Sequence, residues 1–302
     1  MVYTDKHTLA PPLLASPLVS VDALAFNTSA LSDYHLCIEI GFNTFRYCVI
    51  DSAKKQCICL EDYAFDSLVT KNTLIDSLHS LYQQHPFLAL NNWKNITVTF
   101  NTPHFTLIPT DLFRKEYIAN YLRLVMGQKL SDNDQVLSAP IEQINARNVF
   151  AVEKQIWDWL LNTYSLHSPH IHHQTNALIQ SAFKQIPIKS EPAAVLHFEN
   201  EYVTIVVIEN NQLLICNRFA YKVAADMTYF VLFVLDNLKL KPDLVSVYLS
   251  GEITPYSENY ESLAQFLPNM VFSKLTPELS LSSSFEDLPE HRYLSLYNNY
   301  LI

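Results

Sequence analysis

Apolar and polar positions fall into short strand-like runs, each closed by a turn. His35–Ile40, Thr44–Asp51 and Gln56–Tyr63 are rich in Ile, Val, Cys, Phe and Tyr. The turns Gly41-Phe42-Asn43 and Ser52-Ala53-Lys54-Lys55 between them suit antiparallel hairpins. From Leu74 the period changes. Leu74, Ile75, Leu78, Leu81 and Tyr82 share one helical face, with Thr70 as the expected N-cap and Pro86 as the stop. Ile96–Phe100 reads as a clean strand and Phe105–Ile108 as a shorter one. Pro109-Thr110-Asp111 then introduces a helix expected to turn Phe113, Tyr117, Ile118, Tyr121, Leu122 and Val125 inward, with Gly127 at its C-terminal end. Gln128–Gln135 reads as a loop, Val136–Ser138 and Ile141–Ile144 as short strands, and Asn148–Val152 as a firmer one. A helix over Glu153–Thr163 carries Ile156, Trp157, Leu160 and Leu161 on its core edge.

The opening pattern then recurs. Ala193–Phe198, Tyr202–Glu209 and Gln212–Phe219 are three strand-like runs joined by Glu199-Asn200-Glu201 and Asn210-Asn211. An apolar helix follows, carrying Val223, Met227, Phe230, Val231, Val234 and Leu238, and then a buried strand, Leu244–Leu249, ending in Ser250-Gly251-Glu252. Tyr260–Phe266 is expected to be helical, Met270–Phe272 a strand, Thr276–Asp287 a loop and Tyr293–Leu301 a closing helix. Three strands, a helix and a strand thus occur twice, a repeat of element order and not of residues. It divides the chain into an extended arm (1–34), a first α/β lobe (35–187), a second lobe (188–275) and a C-terminal loop and helix packing back on the lobes (276–302).

Composition narrows the chemistry. The 302 residues are 49% hydrophobic and 17% charged, the balance of a folded chain with ample core. A net charge of −10 disfavours phosphate-backbone contacts, so nucleic acid is not an expected partner. Cys37, Cys48, Cys57, Cys59 and Cys216 include no C-x-x-C pair and read as reduced structural thiols, which points to the cytoplasm. The longest purely apolar run, Phe230–Leu235, is too short to span a bilayer, and Pro11, Pro12 and Pro17 break any signal-peptide helix. Only three glycines are present, Gly41, Gly127 and Gly251. About 7%, or roughly 20, would be ordinary for this length. Three isolated glycines cannot build a Rossmann or P-loop phosphate cradle.

Two such halves facing each other resemble the actin-like ATPase fold, with its duplicated ribonuclease H-like lobes. Within it the chain is most similar to an uncharacterised Bacteroidetes-type family related to FtsA- and PilM-like proteins. The resemblance implies that Glu39-Ile40-Gly41-Phe42-Asn43-Thr44-Phe45-Arg46 occupies the first phosphate turn, with Glu39 where an aspartate is usual. His197-Phe198-Glu199-Asn200-Glu201-Tyr202 would be the second, without a glycine and with His197 in the place of the magnesium-binding aspartate. Leu249-Ser250-Gly251-Glu252 keeps one glycine of the adenosine motif. The candidate cleft therefore comprises Glu39, Gly41, Asn43, Thr44, Arg46, His197, Asn200, Ser250, Gly251 and Glu252. It is a degenerate one: added carboxylates repel a triphosphate by on the order of 1 kcal/mol per close contact, and missing backbone amides cost hydrogen bonds. The expectation is no cofactor and no catalytic residue, in a pseudo-ATPase scaffold or interaction module with a protein partner or as a homodimer. ATP with magnesium, gripped by Glu39, Gly41, Asn43, Thr44 and Arg46 with Gly251 under the adenine, is the alternative.

Other clusters read more plainly. His167, His170, His172 and His173 lack an H-E-x-x-H pattern or a nearby cysteine, so they suit a polar strand leading into a Thr175-capped helix better than a metal site. Cys57 and Cys59, two apart, are expected on one strand face. Glu61-Asp62 and Glu286-Asp287 read as solvated pairs. Tyr256, Tyr260, Tyr293, Tyr297 and Tyr300 suit either a protein interface or packing of the last helix on the first lobe.

Overall fold

A computed structural model describes residues 16–22, 26–65, 73–127, 129–187 and 191–302. The chain opens with β1 (Val19–Asp22), then the antiparallel meander β2 (Tyr34–Ile40), β3 (Thr44–Asp51) and β4 (Gln56–Ala64), followed by α1 (Leu74–Gln84) and β5 (Asn95–Phe100). Next come β6 (Phe105–Pro109), α2 (Ile118–Met126), β7 (Asp134–Ile141) and β8 (Ala146–Glu153), which form a separate three-stranded sheet in the order β6-β8-β7 with its helix. The chain returns through α3 (Lys154–Thr163) to β9 (His170–His173) and leaves by α4 (Gln174–Gln185). The second half repeats the plan with β10 (Ala193–Phe198), β11 (Tyr202–Glu209), β12 (Gln212–Ala220), α5 (Ala224–Asn237), β13 (Ser246–Gly251), α6 (Glu258–Ala264) and β14 (Met270–Phe272). Short elements close it: β15 (Ser280–Leu281) and α7 (Leu294–Asn298).

The two main sheets share one order. In the first, β4-β3-β2-β5-β9 runs third, second, first, fourth, fifth, with β1 and β15 added on β4; in the second, β12-β11-β10-β13-β14 runs the same way. β2 and β5 are parallel, as are β10 and β13, while the meander strands alternate in direction. This duplicated sheet is the actin-like arrangement that the element order implies.

Each sheet is covered on one face by a helix from the other half. Leu178, Ile179 and Ala182 of α4 pack on Ala193, Val195, Val206 and Ile208 of the second sheet. Tyr293, Leu296 and Tyr297 pack on Cys37, Cys48, Ile50 and Cys57 of the first. That places most of the C-terminal aromatic cluster inside the molecule; Tyr256 remains exposed. The two crossing helices touch each other.

Several local expectations change. Thr70 lies outside the described residues, and α1 is capped by Thr73, whose side chain and that of Asp76 form a reciprocal capping box. The segment after Pro109 makes two 3-10 turns before α2, which buries only Leu122; Tyr117 and Val125 are exposed. Gly127 ends α2 in the left-handed region, φ 63°. β7 is one continuous strand beginning at Asp134, within the expected loop, and Glu142–Ile144 is a 3-10 turn, because Asn145 in the left-handed region turns the chain back. In α3 the buried residues are Ile156, Trp159 and Leu160, while Leu161 is exposed. The cap of α4 is His173, whose side chain accepts from the Thr175 amide, and not Thr175. A bulge between Val49 and Ile50 shifts the β3–β4 register, so Cys57 joins the cluster under α7 while Cys59 joins the opposite one. Glu61 and Asp62 lie in β4, and Asp62 is buried.

Candidate functional site

Strand alternation sends Glu39 from β2, Arg46 from β3 and Asp62 from β4 to one side of the first sheet; Glu39 and Asp62 each lie opposite Arg46 in register. Across the cleft, Glu199 follows β10 and Glu252 follows β13, two parallel neighbours. The five side chains meet. Arg46 Nε donates to Asp62 Oδ1 at 3.1 Å, its NH1 group lies 3.4 Å from Glu39 Oε1 and 3.3 Å from Glu199 Oε1, and NH2 reaches Glu252 Oε1 at 3.2 Å. One guanidinium thus joins carboxylates of both lobes.

The surroundings satisfy the remaining atoms. Gln174, first residue of α4 and fully buried, donates from Nε2 to Glu39 (3.2 Å) and Glu199 (2.9 Å), and its Oε1 accepts from Arg218 at 2.6 Å. Ser295 of α7 donates to Glu39 Oε2 at 3.0 Å, and the Tyr293 hydroxyl donates to Asp62 Oδ2 at 2.8 Å. His197 lies with Nε2 3.3 Å from Glu199 and Nδ1 3.0 Å from the Ser250 hydroxyl. Arg218 forms a second clasp from the other side, donating to Asn101 Oδ1 (2.6 Å) and the Thr102 carbonyl (2.9 Å) of the first lobe.

Electrostatics divide the acids. Burial raises the Glu39 carboxyl above its ordinary range and the Glu199 charge raises it further, against the pull of Arg46. Burial would also raise Glu199, yet Arg46 first and then His197 hold it well below the usual range. Arg46 loses solvation on burial, and the carboxylates, Glu199 foremost, more than reverse this and raise its pKa. Of the pair, Glu39 is therefore the acid that takes up a proton first as pH falls.

Of the expected cleft residues, Glu39, Arg46, His197, Ser250 and Glu252 converge. Gly41, Asn43 and Thr44 stay in the first hairpin turn, where the Gly41 amide donates to the Thr44 carbonyl and the Asn43 carbonyl accepts from Phe65. Asn200 is exposed at the tip of the second turn, where the Glu199 amide donates to the Tyr202 carbonyl. Gly251, at φ 82°, sits where a Cβ would lie 2.1 Å from the Phe198 carbonyl oxygen. Only glycine lets β13 approach β10 at that point. Phe42 is 77% exposed and does not plug the cleft.

Asp62, Glu199, Gln174 and Arg218 were absent from the candidate set. Asp62 was the most legible of them, since it falls opposite Arg46 once β3 and β4 are paired. An ATP–magnesium group does not fit these residues. The space between the two hairpins holds a guanidinium already saturated by buried acids, and the amides of Gly41 and Glu199 are spent on their own turns. Among the described residues, no group of three or more His, Cys, Asp or Glu is arranged to hold a metal ion; His170 is exposed and His173 is bound to Thr175 and Thr102.

Comparison with known proteins gives the same fold. The chain matches a Bacteroides thetaiotaomicron protein of actin-like ATPase fold and unknown function over 91% of its own length and 98% of that chain, at 17% identity and TM-score 0.75. A chain of the PilM–PilN type IV pilus biogenesis complex matches over 88% and 97%, at 10% identity and TM-score 0.58. No curated protein matches significantly in sequence. The family model described as "Protein of unknown function (DUF3822)" matches residues 23–270, and the chain belongs to that family.

Proposed function

We propose that the protein is a pseudo-ATPase: an actin-like fold that works as a two-lobed interaction platform with no nucleotide in its cleft. One observation carries the reading. Arg46 stands between the two hairpins that would grip a triphosphate, and Glu39, Asp62, Glu199 and Glu252 neutralise it from both lobes. A triphosphate entering there would have to displace these buried carboxylates or face them, and either costs several kcal/mol.

What remains is a shaped surface. A structural neighbour solved as the PilM–PilN complex supports the idea that such a fold can serve by holding another protein. Among the described residues no helix is long and apolar enough to cross a membrane, and Cys37, Cys48, Cys57, Cys59 and Cys216 are free thiols, which agrees with a proposed cytoplasmic setting.

Thermal melting with ATP and magnesium tests this directly. Ligand at 100 times its dissociation constant adds about 2.7 kcal/mol of stability. The expected outcome is no shift at millimolar ATP and no phosphate release. A dose-dependent shift lost in Arg46→Ala would favour the nucleotide-binding alternative.

A further inference from the structure

We propose that two reciprocal arginine clasps, Arg46 and Arg218, lock the lobes in one closed orientation, and that this internal bridge stands where a bound nucleotide would join them. The lock rests on the pseudo-ATPase reading and deepens it: the platform offered to a partner is rigid and does not open and close.

Each arginine reaches out of its own lobe. From β3, Arg46 carries its NH1 group to Glu199 Oε1 (3.3 Å) and its NH2 group to Glu252 Oε1 (3.2 Å) of the second lobe. From β12, Arg218 reaches the other way, its NH1 group donating to Asn101 Oδ1 (2.6 Å) and the Thr102 carbonyl (2.9 Å) of the first. Gln174, at the start of α4, ties the two together. Its Nε2 donates to Glu39 and Glu199, the acids beside Arg46, while its Oε1 accepts from Arg218. Among the described residues the Arg218 guanidinium has one acceptor within its own lobe, the Thr204 hydroxyl at 2.9 Å. A guanidinium is a planar fork with fixed donor directions, so acceptors drawn from both lobes fill it at one separation and one angle.

The rest of the frame resembles a hinge. The covering helices α4 and α7 cross between the lobes and touch, and a swing about that crossing has to break both clasps. Cys216 marks the seam. It shares a face of β12 with Arg218 and packs on the first-lobe core as well as on the cluster under α4. Burial pushes its thiol up to about 12, so alkylation is slow while the lobes stay closed.

Iodoacetamide labelling of the full chain without nucleotide, followed by peptide mass spectrometry, tests the lock. Cys216 in the unmodified protein should react far more slowly than in the urea-unfolded chain. Arg218→Gln with Glu252→Gln should raise its rate by about 10-fold or more, with a larger radius of gyration in small-angle scattering. Glu252→Gln alone should give a smaller rise. Glu252 follows β13, three strands from β12 in the sheet, so that rise cannot come from packing beside the thiol. Cys37, Cys48 and Cys57, buried under α7, should keep their slow rates and so separate opening of the lobes from unfolding. An unchanged Cys216 rate in the double variant, a rise confined to chains carrying Arg218→Gln, or a rise matched by the three covered thiols would overturn the lock. A melting shift with ATP would end the pseudo-ATPase reading by a different measurement, so the two failures are distinguishable.

Discussion

β4 and β12 hold the same place in their lobes, third strand of the meander, and meet opposite fates. β4 is almost wholly buried, because β1 and β15 pair with it and Tyr297 covers its outer face. Among the described residues β12 pairs only with β11, and none of its residues is fully buried. The helices beside them differ likewise, α1 hiding Leu78, Leu81 and Tyr82 while α5 leaves Tyr229 and Phe233 in solvent. Duplication therefore preserved the sheet, and the lobes diverged in what seals it. The first lobe seals its outermost meander strand, and the second leaves its own open.

Arg46→Ala should break this contrast most severely. It strands Glu39, Asp62 and Glu199 in the interior, and removing one partner of a buried ion pair costs about 3–5 kcal/mol. Urea unfolding would show the loss, and Arg46→Lys should recover only part of it, since an ammonium cannot span four acids.

Glutamine at the two coupled acids sharpens the assignment. Glu199→Gln should cost about 2–4 kcal/mol at neutral pH, because the ionised partner of Arg46 is gone. Glu39→Gln should cost less than Glu199→Gln, since Glu39 is the acid whose pKa is raised and Glu199 the one held low. Comparable losses in the two variants would reverse the electrostatic picture.

Acid should weaken the first lobe before the second. Burial lowers His35 and His172 to about 4 and His173 to about 3, His170 adding to the first two and Arg218 to the third. These rings are neutral in the fold and ordinary when unfolded. Their contribution is complete above pH 6.5 and is lost as pH falls toward 4, by up to about 1.4 kcal/mol per pH unit for each ring. Denaturant midpoints between pH 7 and 4 read the slope, and His173→Gln should flatten it.

Smaller effects follow. Thr73→Ala removes the capping box of α1 and should cost about 1 kcal/mol. Tyr229→Ser, on the open face of the second lobe, should change stability by no more than about 0.5 kcal/mol, whereas truncating Tyr297 should cost several times that.

Element order, both hairpin sets and the Ile96 strand were legible because alternation and turn residues are local signals; the strand expected from Leu244 begins at Ser246, and Leu244 is exposed. The insertion was less so. Phe113, Tyr117 and Val125 follow a helical period, but Phe113 and Tyr117 belong to the 3-10 turns before α2, and α2 buries only Leu122 against its small sheet. Cys57 and Cys59 part company at a bulge that no two-residue spacing announces. Of the site, Glu39, Arg46 and His197 were found through the two hairpin turns that resemble phosphate turns, and Ser250 and Glu252 through the segment that resembles an adenosine motif. Asp62 looked solvated because its partner depends on strand register, and Gln174 and Arg218 reach the centre from elements far away in sequence.

The exchange of covering helices has a bearing on how the protein is made. Synthesis delivers the first sheet early, but Tyr293, Leu296 and Tyr297 emerge only after the whole second half has been translated. Until then the surface around Cys37, Cys48 and Ile50 stays wet and sticky, the state from which growing chains aggregate. The half that is born first is thus finished last, and a version halted before residue 293 should be a client for chaperones instead of a smaller working protein.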